Sequence, residues 1–370
     1  MAASVRNIFM IHARCPSQFA PIISFAANNP AFHIYSICCN WVGEEPTNLT
    51  IVNIGEFNDS SLERNAVSVL QALGDMRRRK ILPHIIVMHV GFGYDNYIRA
   101  KFPEVPLVGY FEWYYPDQTT YNIVRNAHIE TCVDECSVCI TPTRFQRSVF
   151  PARLRNRLMV VHEGVNVDYF SPPPDPLPPK DMMTITYVTR GFEPMRRFME
   201  FIRAARLTLE RMPNVRVKIA GVDRVYYTDN VKNVSLRTEA DKLLINVSDR
   251  VEYLGWIPRK GIRDLLRESD LHVYFTHPFV LSWSMVEAMA TGCAIVAAGE
   301  PVKEFISDGV TGWLTDPDSP EECYDTFRKV LLMPAEEKRA IQTAARATAV
   351  SLADGRRCDE KWRAIFDSLL

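Results

Sequence analysis

Short apolar runs alternate along this chain with longer stretches of helical period. Ile8–Ile11, His33–Cys38, Ile85–His89, Leu107–Phe111 and Val138–Thr141 read as strands, and Ser60–Arg78 between them is the clearest helix. That rhythm predicts a parallel sheet covered by helices. The segment Ser171–Lys180 then holds six prolines in ten residues, which forces extended backbone, so 171–183 reads as a domain linker. Beyond it the rhythm restarts, with strands at Thr184–Thr189, Val215–Ala220, Val251–Leu254, Leu271–Phe275 and Ala294–Ala298. Helices are predicted at Arg197–Arg211, Ile262–Glu268 and Ser284–Ala290. The expected class is α/β, with two Rossmann-like, doubly wound domains at 1–170 and 184–350 facing a central cleft, where such folds bind ligands. The tail carries an apolar face of Trp362, Ile365, Phe366 and Leu369, so 351–370 is expected to form a helix that docks back on the first domain.

Charge and composition narrow the partners. In 370 residues, 43 Lys+Arg meet 44 Asp+Glu for a net of −1, which provides no global field for a polyphosphate backbone and argues against nucleic acid. The apolar run Ile8–Ile11 is too brief for a signal-peptide core, and a cytoplasmic protein is expected. Phe279–Gly299 has the length of a membrane span but contains Glu287, and a carboxylate at mid-bilayer costs about 2.5 kcal/mol or more, so buried protein is the better reading. Nine cysteines, an odd number scattered from Cys15 to Cys358, suit free buried thiols. Cys132, Cys136 and Cys139 are spaced as one helix face and lack a fourth zinc-type ligand, so core packing is expected and no metal. The basic runs Arg77–Lys80 and Arg144–Arg157 read as solvated faces, with peripheral contact to the inner face of an anionic membrane as the alternative.

The window Ser282–Gly299 carries the densest chemistry. A strand ending in Thr276-His-Pro278 leads into a helix whose first turn holds Ser282 to Ser284, so its backbone N–H groups are suited to a diphosphate. Glu287 follows inside an otherwise apolar helix. A buried carboxylate needs donors, which a vicinal hydroxyl pair supplies; a structural ion pair is the other reading.

Three ordered segments resemble the retaining GT-B glycosyltransferases of family 4. Glu287-Ala-Met-Ala-Thr-Gly292 with Glu300–Leu314 is similar to the donor-binding segment, Val160–Pro172 to the inter-domain hinge, and Thr189–Arg196 to the phosphate-binding loop. Weaker likeness in the first half rests on His12–Phe19, His89–Gly93 and Gly109–Tyr115. The resemblance implies a nucleoside-diphosphate sugar donor, a glycan, lipid-linked or small-molecule acceptor, and front-face transfer with no metal or other cofactor. The chain would then serve polysaccharide biosynthesis. It assigns Glu287 to the ribose hydroxyls, and Arg190 and Arg196 to the diphosphate, the second standing where the family usually has lysine. Leu281, Ser282, Trp283 and Ser284 would meet phosphate or sugar, while Gly255, Trp256 and Gly221 would meet the base. The family's first motif glutamate is replaced by Phe279, which alters sugar recognition. Glu112 stands where the family commonly has a histidine near the reacting sugar, and His12, Gln18, His89, Trp113 and Tyr114 form the acceptor side. Two other functions fit the same residues: a sugar-nucleotide epimerase or hydrolase, and a non-catalytic nucleotide-sugar-binding partner subunit.

Overall fold

The computed structural model describes residues 5–57, 61–117, 119–174, 180–226 and 235–370. The chain forms two compact units, Met1–Gly164 with Gly355–Leu370, and Val165–Asp354.

The first unit holds a seven-stranded parallel sheet: β1 Arg6–Ile11, β2 Phe32–Cys38, β3 Leu49–Asn53, β4 Ile85–His89, β5 Leu107–Tyr110, β6 Val138–Thr141 and β7 Leu158–Val160. Their spatial order is β3-β2-β1-β4-β5-β6-β7. The apolar runs of the central strands make sense because both sheet faces are covered. In β1, Ile8 and Met10 enter one core with Phe19 and with Ile22 of α1 (Ala20–Ala26), while Phe9 and Ile11 enter another with Val69, Leu73 and Met76 of α2 (Leu62–Arg78). Ser61 caps α2, its hydroxyl accepting from Arg64 N–H, one residue inside the expected start; Ser60 lies outside the described residues. Further covering helices are α3 Asp95–Lys101, α4 Thr120–Glu135 and α5 Arg144–Val149.

The second unit repeats the plan in six parallel strands: β8 Met183–Gly191, β9 Val215–Val222, β10 Val251–Gly255, β11 Leu271–Phe275, β12 Ile295–Ala298 and β13 Trp313–Leu314, in the order β10-β9-β8-β11-β12-β13. Its helices are α6 Phe198–Arg211, α7 Leu236–Leu243, α8 Arg259–Arg267, α9 Trp283–Thr291, α10 Pro320–Leu331 and α11 Ala335–Ala353. The final helix, α12 Gly355–Leu369, belongs to the first unit, where Trp362, Ile365 and Phe366 close the core under Ile8 and Met10.

The change of unit falls at Gly164/Val165, ahead of the proline-rich stretch, of which 175–179 lie outside the described residues. Residues 165–170, expected with the first domain, join the second because Arg346 of α11 donates to the carbonyls of Val167 and Phe170 at 3.2 and 3.1 Å. Phe279–Gly299 forms α9 and β12 inside the second unit, and no helix among the described residues is long and apolar enough to cross a membrane.

One expectation is corrected. Cys132, Cys136 and Cys139 do not share a helix face: Cys132 lies on α4, Cys136 caps it and Cys139 is in β6, because the helix ends one turn early. All nine cysteines are free, and no cluster able to hold a metal occurs among the described residues. The Arg144–Arg157 run keeps Arg144, Arg153, Arg155 and Arg157 exposed, as expected, and several of its arginines also hold the backbone. Arg147 and Arg155 donate to the carbonyls of Arg155 and Phe150, Arg157 to that of Cys136, and Arg153 pairs with Glu130.

Candidate functional site

In each sheet the strand order reverses beside the first strand of the unit, and the loops at that point form the natural ligand crevice. In the second unit it lies between β8 and β11. Arg190 is the last residue but one of β8, the segment after that strand carries Phe192 to Arg196, and the loop after β11 carries Thr276 to Ser282.

Arg196 is the fixed point. Its side chain is 7% exposed, and Nη1 donates to the Tyr274 hydroxyl at 2.9 Å, to Thr276 Oγ1 at 3.0 Å and to the Val280 carbonyl at 2.9 Å. The Tyr187 hydroxyl donates to its carbonyl at 2.7 Å. Arg196, Tyr187 and Tyr274 line a small pocket together with Thr189, Ser282 and Ser284. Arg190, by contrast, is exposed, its guanidinium lying 3.7 Å from the centroid of the Tyr226 ring, with Arg224 at 5.1 Å.

The start of α9 departs from expectation. The Ser282 N–H is engaged by the Tyr274 hydroxyl at 2.9 Å, and the Ser284 N–H by Ser282 Oγ at 3.4 Å, so these donors are satisfied by a tyrosine from β11 and by the serine cap. The Leu281 side chain is buried in the core, Trp283 opens the helix, and Phe279 lies in the loop ahead of it. Glu287, 6% exposed, accepts from Arg259 Nη2 at 3.0 Å. Burial pushes its carboxyl above the ordinary range and Arg259 opposes that. Arg259 was missed in the sequence; its place at the start of α8, directly after Gly255-Trp256-Ile-Pro258, was the available signal. Trp256 is 76% exposed and Gly255 sits at φ +64° with open space around it, both accessible to a planar ligand. Gly221 has a different reason to be glycine. At φ +149° an added Cβ would lie 2.7 Å from the Thr189 carbonyl, so it permits the close approach of β8 and β9 rather than of a base.

In the first unit the reversal lies between β1 and β4; His12 directly follows β1 and His89 is the last residue of β4. The two buried rings meet edge to face with centroids 4.6 Å apart. His12 Nδ1 accepts from Arg14 N–H at 2.9 Å, so the proton of the neutral ring sits on Nε2. Burial and then His89 hold its pKa well below the ordinary value. His89 Nε2 lies 3.4 Å from Glu112 Oε2, and Gln18 Nε2 donates to Glu112 Oε1 at 2.9 Å. Four of the expected residues thus converge. Tyr94, fully buried, ties the two strand ends together by donating to the His89 carbonyl at 2.6 Å, with the Ile11 carbonyl at 3.3 Å. Tyr114 points elsewhere, its hydroxyl donating to Glu130 at 2.6 Å and its ring 5.5 Å from Phe150, because it packs against the core. Trp113 packs toward Phe145 at 6.2 Å. A further carboxylate joins the cluster: Glu163, after β7, accepts from the Tyr110 hydroxyl. Burial and then the charge of Glu112 push it up to about 8. Its position just past a strand was the only sequence signal for it.

The molecule can now be set beside known proteins. A profile described as Glycosyl transferase family 4 group matches residues 54–170, and one described as Glycosyl transferases group 1 matches 174–347. A D-inositol 3-phosphate glycosyltransferase of Mycolicibacterium smegmatis is 32% identical over 186 residues, covering 48% of this chain and 40% of that protein, so the match spans about two fifths of the relative's length. Among solved structures, sucrose-phosphate synthase from Thermosynechococcus elongatus superposes with a TM-score of 0.76 at 13% identity over 98% of this chain and 99% of that one. Anabaena Alr3699/HepE in complex with UDP-glucose gives 0.73 at 16% identity, over 98% and 99%. At these identities the structural likeness is one of fold, the GT-B pairing of two parallel-sheet α/β domains.

Proposed function

Because the chain belongs to the family 4, group 1 glycosyltransferases, matched in both of its halves, we propose that it moves a sugar from a nucleoside-diphosphate sugar to an acceptor hydroxyl with retention of configuration. The observation that carries this is Arg196, a buried cation held by three acceptors at the strand-order reversal of the second unit. As the glycosidic bond breaks, negative charge grows on the leaving diphosphate. A guanidinium already fixed in place stabilises that charge without reorganising, and a metal is not required for it. Exposed Arg190, at the end of β8, adds a second cation six residues before Arg196, and Trp256 offers an aromatic wall to the base.

Glu287 holds the ribose hydroxyls through lone pairs beyond the one given to Arg259. In the front-face route the acceptor oxygen attacks from the side of the leaving group, and the phosphate takes the acceptor's proton. That UDP-glucose is the ligand named for the HepE structure supports a uridine diphosphate sugar as the first donor to test.

The test is calorimetric titration of UDP and GDP into the purified chain, wild type and Arg196→Ala, followed by mass spectrometry for sugar transfer. Binding weakened at least tenfold by the substitution is expected. Absence of binding by either nucleotide to the wild type overturns the proposal, and binding with no transfer to any acceptor returns the partner-subunit reading.

A further inference from the structure

Glu287 is the one charged residue of α9, and it is fixed from a neighbouring helix. Arg259, the first residue of α8, donates from Nη2 to Glu287 Oε1 at 3.0 Å. The carboxylate side chain is 7% exposed and the arginine's 57%, so the pair runs from the interior out to solvent. Among the described residues Glu287 Oε2 has no partner, which leaves that oxygen for a ligand.

Arg259 is itself braced. Its guanidinium lies 5.0 Å from the centroid of the buried Phe170 ring. Arg263 and Arg267 follow on the same face of α8, at i+4 and i+8. Arg263 lies over the Tyr169 ring at 4.8 Å, and Arg267 Nε donates to the Ser171 carbonyl at 2.8 Å. One helix face thus runs along residues 169–171, and the first arginine of the row reaches Glu287. A long side chain held at two points has its N–H direction set before any ligand arrives.

The other charges on the helices packed against α9 are engaged elsewhere or face solvent. Arg263 pairs with Asp264 at 2.8 Å, Arg346 of α11 donates to the carbonyls of Val167, Phe170 and Ala290, and Lys260 is exposed. Among the described residues Arg259 is the charged group that acts on Glu287, and it opposes the effect of burial.

We infer that Arg259 is a positioning residue for nucleotide recognition: by taking Glu287 Oε1 it presents Oε2 to the ribose, so the pair sets the preference for a ribose diol over a sugar ring that lacks it. This rests on the nucleotide-sugar reading above and names the device by which that site reads the ribose. A merely structural ion pair would be felt equally by every nucleotide. Without Arg259, burial acts unopposed and pushes Glu287 further up, and a protonated carboxyl puts a donor where hydroxyl groups need an acceptor.

Calorimetric titration of the full chain at pH 6 and pH 8 tests this, with UDP and GDP each set against its 2′,3′-dideoxy counterpart. The members of a pair share one diphosphate, so its own ionisation at about pH 6 cancels in the ratio of their affinities. In the wild type the ribonucleotide is expected to bind at least tenfold more tightly than the dideoxy probe. Arg259→Met is expected to reduce that ratio at least threefold at pH 8 and further at pH 6, with dideoxy affinity unchanged, and Arg259→Lys to restore most of it. In a Glu287→Gln background, Arg259→Met is expected to change the ratio no further. Thermal melting of each variant checks that it is folded. A ratio unchanged in Arg259→Met, an equal loss for both probes, or a further loss in the Glu287→Gln background overturns the inference. Binding of no nucleotide overturns the donor reading and the role of Arg259 together, whereas the expected ratios without sugar transfer uphold that role and overturn transfer alone.

Discussion

Tyr274→Phe isolates the preorganisation of Arg196 on which the proposed function depends. The ring is 3% exposed and stays in place, while the lost hydroxyl had accepted both from Arg196 Nη1 and from Ser282 N–H, each at 2.9 Å. A net bond to a charged group contributes about 1.5–3 kcal/mol and a neutral one about 0.5–1.5 kcal/mol. Arg196 keeps Thr276 and the Val280 carbonyl, which holds the loss toward the lower end, about 2 kcal/mol. For a unit the size of Val165–Asp354, that lowers Tm by about 4–8 °C. Calorimetric melting with and without UDP is the assay. Arg196 freed of one restraint should also bind UDP more weakly, so the nucleotide-induced rise in Tm should shrink. A Tm within about 1 °C of wild type together with unaltered UDP affinity refutes the view that this hydroxyl fixes the arginine.

Two further outcomes follow from the first unit. Glu163 is raised from 4.5 to about 8 in the folded protein, so the native state binds more protons than the unfolded state between those values, and its contribution to stability is present below about pH 4.5 and lost as pH rises toward 8. Glu163→Gln removes that loss: urea melts at pH 5, 6.5 and 8 should show the variant gaining on wild type as pH rises, with no further gain above 8, and a difference independent of pH contradicts the assignment. Trp362→Ala opens a cavity where α12 closes the sheet under Ile8 and Met10, at a cost of about 3–5 kcal/mol, read as a lower urea midpoint; an unchanged midpoint removes α12 from the core.

The central strands of both sheets were legible because a strand buried on two faces reads as an unbroken apolar run, as in Ile8–Ile11 and Ile85–His89. Leu49–Asn53 and Leu158–Val160 passed unnoticed for the converse reason. They are the edges of the first sheet and partly exposed; Leu49–Asn53 is broken by Thr50, and Leu158–Val160 is only three residues long. Cys132 to Cys139 were misread because i, i+4, i+7 spacing says nothing of where a helix stops.

The sequence by itself also determined that Arg190, Arg196 and Glu287 belong to the second α/β repeat, and His12, His89 and Glu112 to the edge of the first sheet, because strand ends and the segments after them are ordered by the chain. Which side chains meet was decided only by the tertiary structure. Tyr274 bridges Arg196 to Ser282, Arg259 pairs with Glu287, and Tyr110 reaches Glu163 across 53 positions of chain. Parallel strands bring their carboxyl ends together whatever the length of the connection between them, so residues remote in sequence share one edge, and hydrogen bonding across that edge sets the charge and direction of each group.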